Sequence, residues 1–273
     1  MFMSNDPSAA RPRYLVAARE ERIRAGLREP GPPTFGTWVK LPTLETLEML
    51  AQAGFEYVVI DMEHSPLTLE SAYRIIFGAQ ALGMAALIRV ADRSGNLYQR
   101  LLDSGADGIL VPQVSTVEQA EAAVAGMTFA PVGRRGMGVT ARAGAWGVDG
   151  AAPYFDAAAG IVRAIQIEDL DSLRDVERYL AIDGLDAVFL GMGDLTMSSG
   201  RAFDDAEIAT LTDRMIEAAT ARRIPCGTAV GDAGGAAAAA ARGFSFIMVS
   251  NDTTMFGAAA RKVGADVTAA LRG

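Results

Sequence analysis

Eight short apolar runs, each followed by a longer stretch of helical pattern, recur along the chain and constrain its fold more than any other feature. The runs lie at 34–39, 57–61, 85–90, 108–112, 161–167, 187–191, 225–230 and 246–250. They are continuous, not alternating. "YVVID", "AALIRV" and "AVFLG" offer apolar side chains to both faces, as strands covered on both sides do. Helical spacing fills the intervals at about 43–53, 68–81, 95–104, 115–127, 171–181, 203–222, 232–242 and 253–271. Ser115, three residues before Glu118, predicts a capping box. "GDAGG" precedes an alanine run over 236–241, and alanine is the best helix former.

Strand–helix alternation dictates a parallel sheet, because a parallel pair needs a crossover long enough to be a helix. Eight such units predict an α/β fold of the closed (β/α)8, or TIM, barrel type, which takes about 250 residues. An open doubly wound sheet competes, but "WVKLPTLE" after the first run lacks its Gly-rich turn. The Gly- and Ala-rich segment 131–160 is long for a helix-to-strand connection and reads as an excursion within one domain spanning 1–273. Residues 1–30 are expected to form an extension with an amphipathic helix. Glu20, Glu21 and Glu29 set it apart from a transit peptide.

Composition narrows the partners. Half of the residues are hydrophobic, enough for a sizeable core. A net charge of -8 argues against nucleic acid, whose phosphates require clustered basic surface. No run approaches the ~20 apolar residues of a membrane span. Cys226 is the only cysteine, which fits a reducing compartment. These features predict a cytoplasmic protein.

In a barrel of this kind, active sites form at the C-terminal ends of the strands. Charged residues gather there in this sequence. The second run ends in Asp61, followed by Glu63 and His64, the sole histidine. Arg89 lies in "LIRV", Gln166 and Glu168 in "QIED", and Asp194 in "GMGDLT". Charges inside apolar runs are costly unless paired or set at a functional mouth. Glu168 and Asp194 would repel across one site, and a divalent cation with oxygen preference resolves that. Pairing with Arg89 or with helix N-termini resolves it equally, and charge placement leaves both readings open. Arg89 suits a carboxylate or a developing oxyanion. His64, just beyond an acidic strand end, suits a general base, against the commoner fate of an exposed loop histidine. Asp103 in "LLDSGAD" is a candidate to orient it.

These motifs, with "GTW", "AGFEYVVIDMEHSP", "LLDSGADGILVPQV", "APVGRRGMG", "GLDAVFLGMGDLT" and "NDTTMF", occur in the order expected of the HpcH/HpaI aldolase family. The resemblance spans roughly residues 20 to 271. It implies a metal-dependent class II aldolase that cleaves a 4-hydroxy-2-oxo acid to pyruvate, or hydroxypyruvate, and an aldehyde. By the same resemblance Glu168 and Asp194 hold the divalent cation, Mg²⁺, Mn²⁺ or Co²⁺. Arg89 stabilises the enolate, His64 is the base with Asp103 assisting, and Asp61, Gln166 and Trp38 are neighbouring site residues. Gly191 and Gly193 fall at the substrate carboxylate. The resemblance further implies a homo-oligomer, a hexamer, in which the last helix crosses a subunit boundary. Segment 131–160 would then reach a neighbour's site, with Arg142 on the distal part of the substrate.

The sequence departs from the family pattern at Met192, where proline is common, at Gln113 in place of methionine, and at Ala145 in place of arginine. These changes bear on substrate identity. Three other chemistries compete on the same residues. A lysine Schiff base has only Lys40 and Lys262 to draw on, and Lys40 reads as a solvated surface residue. An acyl-CoA lyase of the citrate-lyase type shares the barrel but not the base of "DMEH". A phosphosugar isomerase would need a Gly-rich phosphate loop late in the chain. A non-catalytic binding barrel has no use for His64, Arg89, Glu168 and Asp194 together.

Overall fold

The computed structural model describes residues 33–272, so the helix expected within 1–30 lies outside the described residues. All eight runs form strands: β1 (Thr34–Val39), β2 (Tyr57–Asp61), β3 (Ala85–Arg89), β4 (Gly108–Val111), β5 (Val162–Ile167), β6 (Ala187–Leu190), β7 (Cys226–Val230) and β8 (Phe246–Asn251). Every neighbouring pair is parallel, and β1 pairs with both β2 and β8, closing the expected barrel in chain order. Around it lie α1 (Leu44–Gln52), α2 (Leu69–Ala81), α3 (Gly95–Asp103), α4 (Val117–Met127), α5 (Ala151–Ala158), α6 (Leu170–Arg174), α7 (Val176–Leu180), α8 (Met192–Ser199), α9 (Ala206–Ala221), α10 (Ala233–Arg242) and α11 (Asp252–Arg272).

The continuous apolar runs divide into two layers by strand period. Tyr57, Val59, Leu87, Leu110, Ala164 and Phe189 fill the barrel interior. Val58, Ile60, Ile88, Ile109, Ile165 and Leu190 face outward into the helix layer. Fully burying one such isoleucine or leucine contributes about 1.5–3 kcal/mol, which is why both faces of the strands are mostly apolar below the rim.

Two local expectations are corrected, and two segments gain detail. The helical stretch 171–181 breaks at Asp175 into α6 and α7. The capping box sits one residue later than Ser115 and Glu118. Thr116, with extended backbone, accepts from Gln119 N at 3.2 Å, and Gln119 Oε1 accepts from Ser115 N at 2.9 Å. The excursion 131–160 holds a 3-10 turn at Arg142–Gly147 and the helix α5. Phe256, Val263, Val267 and Leu271 of α11 are all exposed, Leu271 at 82%. No helix among the described residues is long and apolar enough to cross a membrane.

Candidate active site at the C-terminal rim

The period that separates the two layers also aims the rim residues. On β2 the inward row runs Tyr57, Val59, Asp61, and on β3 it runs Ala85, Leu87, Arg89. Asp61 and Arg89 are register partners, so two opposite charges end neighbouring inward rows side by side. Arg89 donates to Asp61 through Nε at 3.0 Å and Nη2 at 2.8 Å. The indole of Trp38 lies under the guanidinium, 4.2 Å from the ring centroid. Arg89 is thus both an ion-pair partner and a cavity-lining residue, uniting the two readings of its sequence position.

Asp61 is wholly buried and acts as a hub. Its Oδ1 also accepts the backbone N–H groups of Glu63 and His64, each at 3.2 Å, which shapes the turn that carries the histidine. Lys40 Nζ lies 2.8 Å from Asp61 Oδ2 and donates to the His64 carbonyl at 3.3 Å. Lys40 is therefore not the solvated surface residue expected. Burial alone would push the Asp61 carboxyl up, but the hydrogen bonds and charge of Arg89, with Lys40 and the His64 N–H, bring it down to about 2. The His64 side chain is 54% exposed, and its Nε2 lies 3.7 Å from Glu63 Oε2.

Across the rim, β5 carries Gln166 inward after Val162 and Ala164, and Glu168 follows two residues on. Glu168 accepts from Gln113 N and from Gln166 Nε2. Gly191 is required here. A Cβ would fall 2.6 Å from Gln166 Nε2 and 2.9 Å from Glu168 Cβ. At Gly193 a Cβ would meet nothing within 4 Å. Asp194 occupies the first turn of α8, a helix the sequence did not announce because two glycines flank Met192 in "GMGDLT". A cavity of about 520 Å³ is lined by Trp38, Lys40, Arg89, Gln166, Gly191 and Asp194 among others. A hollow of about 420 Å³ is lined by Glu63, His64, Gln113, Glu168 and Asp194. The two share Asp194.

The donor set fits a divalent cation. Burial pushes the Glu168 carboxyl up to about 7, and the charges of Asp194 and Glu63 add to this, against the hydrogen bonds from Gln113 and Gln166. Positive charge is what such a hollow lacks. Among the described residues no group of three or more His, Cys, Asp or Glu side chains forms an all-protein cage. Two carboxylates instead suit a hard cation that keeps water and takes substrate oxygens.

Asp103 and Arg142 are not brought to this rim within the chain. Asp103 is the last residue of α3, beside the turn that enters β4 from below. It accepts from Arg135 at 2.8 Å and from the Tyr154 hydroxyl at 2.9 Å. Arg142 binds Ser104 O at 3.0 Å and Gln80 Oε1 at 2.8 Å. A helix that returns antiparallel to its strand ends at the barrel's foot, opposite His64. Conversely, Lys40, Glu63 and Gln113 line the site although none of them was among the residues expected to form it. Each follows a strand end by one or two residues, so extending the rim rule past every strand was the signal that would have found them.

The model of the HpcH/HpaI aldolase/citrate lyase family matches residues 34–259. A 2-dehydro-3,6-dideoxy-6-sulfogluconate aldolase of Pseudomonas putida is 33% identical over 223 residues, covering 81% of this chain and 87% of that protein. A hydroxypyruvate/pyruvate aldolase of Agrobacterium fabrum is 33% identical over 258 residues, 92% of this chain and 94% of that protein. A crystal structure of an HpcH/HpaI aldolase/citrate lyase family protein from Burkholderia cenocepacia superposes with a TM-score of 0.83 at 28% identity, covering 92% of this chain and 99% of that one. Barrel, rim chemistry and these likenesses agree, and the chain belongs to the HpcH/HpaI aldolase/citrate lyase family.

Proposed function

We propose that this chain is a divalent-cation-dependent aldolase, an aldehyde-lyase that reversibly cleaves a 4-hydroxy-2-oxo acid to pyruvate or hydroxypyruvate and an aldehyde. The carrying observation is that Arg89, His64, Glu168 and Asp194, from four different strand–helix units, line two hollows sharing one residue at the rim. The aldolase names of relatives at 33% identity support the same chemistry.

Glu168 and Asp194 would hold Mg²⁺, Mn²⁺ or Co²⁺, which when bound supplies Lewis acidity toward the 2-oxo oxygen and the carboxylate. His64 accepts the proton of the 4-hydroxyl. The O–H electrons become the aldehyde carbonyl, and the C3–C4 pair passes into the pyruvate half. Arg89, locked on Asp61 through two nitrogens, neutralises the charge that grows on the 2-oxo oxygen. Because that lock exists before substrate arrives, little reorganisation is needed at the moment of reaction. The backbone of Gly191 and Gly193 at the N-terminus of α8 faces the substrate carboxylate, where a helix end favours an anion. Gln166 and Trp38 flank the same cavity.

The protein would act as a single barrel domain in the cytoplasm, consistent with its lone, buried thiol. It would assemble into a homo-oligomer, a hexamer by family resemblance, with α11 covering its exposed apolar residues against another copy. Asp103 and Arg142, at the foot, would meet a second copy's rim only through that assembly. Pyruvate release from 4-hydroxy-2-oxo acids, assayed with EDTA and with added Mn²⁺, tests the proposal. Cation-dependent release of pyruvate and aldehyde is expected. No turnover with any cation would leave a binding barrel, and turnover of acyl-CoA substrates alone would leave the citrate-lyase chemistry.

A further inference from the structure

Gln113 has an unusual backbone for its residue type. Its φ is 56°, in the left-handed region that non-glycine residues seldom enter. That conformation, two residues past the end of β4, lets one residue reach three ways. Its N–H donates to Glu168 Oε1, its carbonyl accepts from Arg93 Nη1, and its side-chain Nε2 donates to Glu63 Oε1 at 2.9 Å. The Glu63 side chain is only 8% exposed. Its other oxygen, Oε2, is buried and takes no hydrogen bond. That oxygen lies 3.3 Å from Arg89 Nε and 3.7 Å from His64 Nε2.

A buried carboxylate oxygen without a hydrogen bond is costly unless it has an electrostatic task. Here it stands between the only histidine and the buried guanidinium of the rim. We infer that Gln113 and Glu63 form a positioning pair: Gln113 pins one oxygen of Glu63 so that the other fixes Arg89 and His64 relative to each other. The inference rests on the aldolase reading for its kinetic consequences and on geometry alone for its structural ones. The pin is specific to the amide. The bond to Glu168 comes from the backbone of Gln113 and survives any side-chain change, whereas the bond to Glu63 does not.

The test is Gln113→Met, which keeps side-chain volume and removes only the amide. Expected are a kcat about tenfold lower, a loss of the size seen when partners of functional side chains are removed, and a KM for the 2-oxo acid within about twofold. Mn²⁺ affinity of the protein should stay within about twofold. A double-mutant cycle with Glu63→Ala should be non-additive, Gln113→Met costing nothing further once Glu63 is gone. Nitrogen resonances supply a readout independent of turnover. His64 is the sole histidine, so its ring signals identify themselves, and both they and Arg89 Nε–H should shift in Gln113→Met. Unmoved resonances, or fully additive losses, overturn the pair. Absence of lyase turnover in the unmodified protein would sink the aldolase reading instead and leave the resonance experiment to decide this one.

Discussion

The Arg89 guanidinium meets the Asp61 carboxylate in a two-pronged pair, Nε to Oδ1 and Nη2 to Oδ2, between register partners of β2 and β3. The same carboxylate holds the N–H of His64 and the ammonium of Lys40. One buried acid therefore holds two cationic side chains and the backbone turn that carries His64 at the rim cavity.

Removing that charge should be felt in both stability and chemistry. Asp61→Asn is expected to destabilise the protein by about 3 kcal/mol, the cost of breaking one side of a buried pair. Asp61 is held down at about 2 against an ordinary 3.8, so its stabilisation is complete above about pH 4 and is lost as pH falls through 2. Denaturant melts at pH 7 and pH 3 check this, with the gap between unmodified and variant proteins narrowing in acid.

Glu168 works in the opposite sense. Its carboxyl is raised from 4.5 to about 7, so the fold favours the protonated form. The cation-free protein should lose stability as pH rises from about 4.5 to 7, and cation binding, which needs the carboxylate, should strengthen over that range. Mn²⁺ titrations followed by electron paramagnetic resonance should show affinity rising about tenfold per pH unit below 7 and levelling above it. A flat profile would mean that Glu168 is not the titrating ligand.

Gly191→Ala places a methyl against Gln166 Nε2 and Glu168 Cβ, at 2.6 and 2.9 Å. Mn²⁺ affinity should fall about tenfold or more, as for misplaced metal ligands, with far-ultraviolet circular dichroism unchanged. Gly193→Ala meets open space and should leave cation affinity unaltered.

Lys40 is tied to Asp61 at 2.8 Å and donates to the His64 carbonyl, so these contacts would have to break before its nitrogen could attack a 2-oxo group. Borohydride with pyruvate should add no mass to the protein, and EDTA should abolish turnover. A trapped adduct on Lys40 would replace the cation mechanism with a Schiff base.

The exposed apolar residues Phe256, Val263, Val267 and Leu271 of α11 predict a subunit contact. Deletion of 253–273 should reduce the mass measured by light scattering to that of a smaller assembly. A truncated chain that keeps its full assembly would refute the role of α11.

The sequence by itself determined the barrel. Eight apolar runs separated by helical stretches favour a closed parallel barrel, and each run formed a strand within a residue or so of its expected bounds. It also determined which charged residues end the strands, because an unpaired charge in an apolar run is costly away from an open rim. Tertiary structure decided what those residues touch. Lys40 and Glu63 stand one and two residues past their strands, and nothing in "WVK" or "DMEH" reveals that one reaches Asp61 and the other is pinned by Gln113. Asp103 sits in a family motif yet lies at the foot, because α3 runs antiparallel to its strand and carries its last residue away from the rim, and Arg142 joins it there by bonding Ser104 O and Gln80 Oε1. Local sequence sets strand period and helix pattern; contact across the rim depends on barrel closure and loop geometry, which no short stretch encodes.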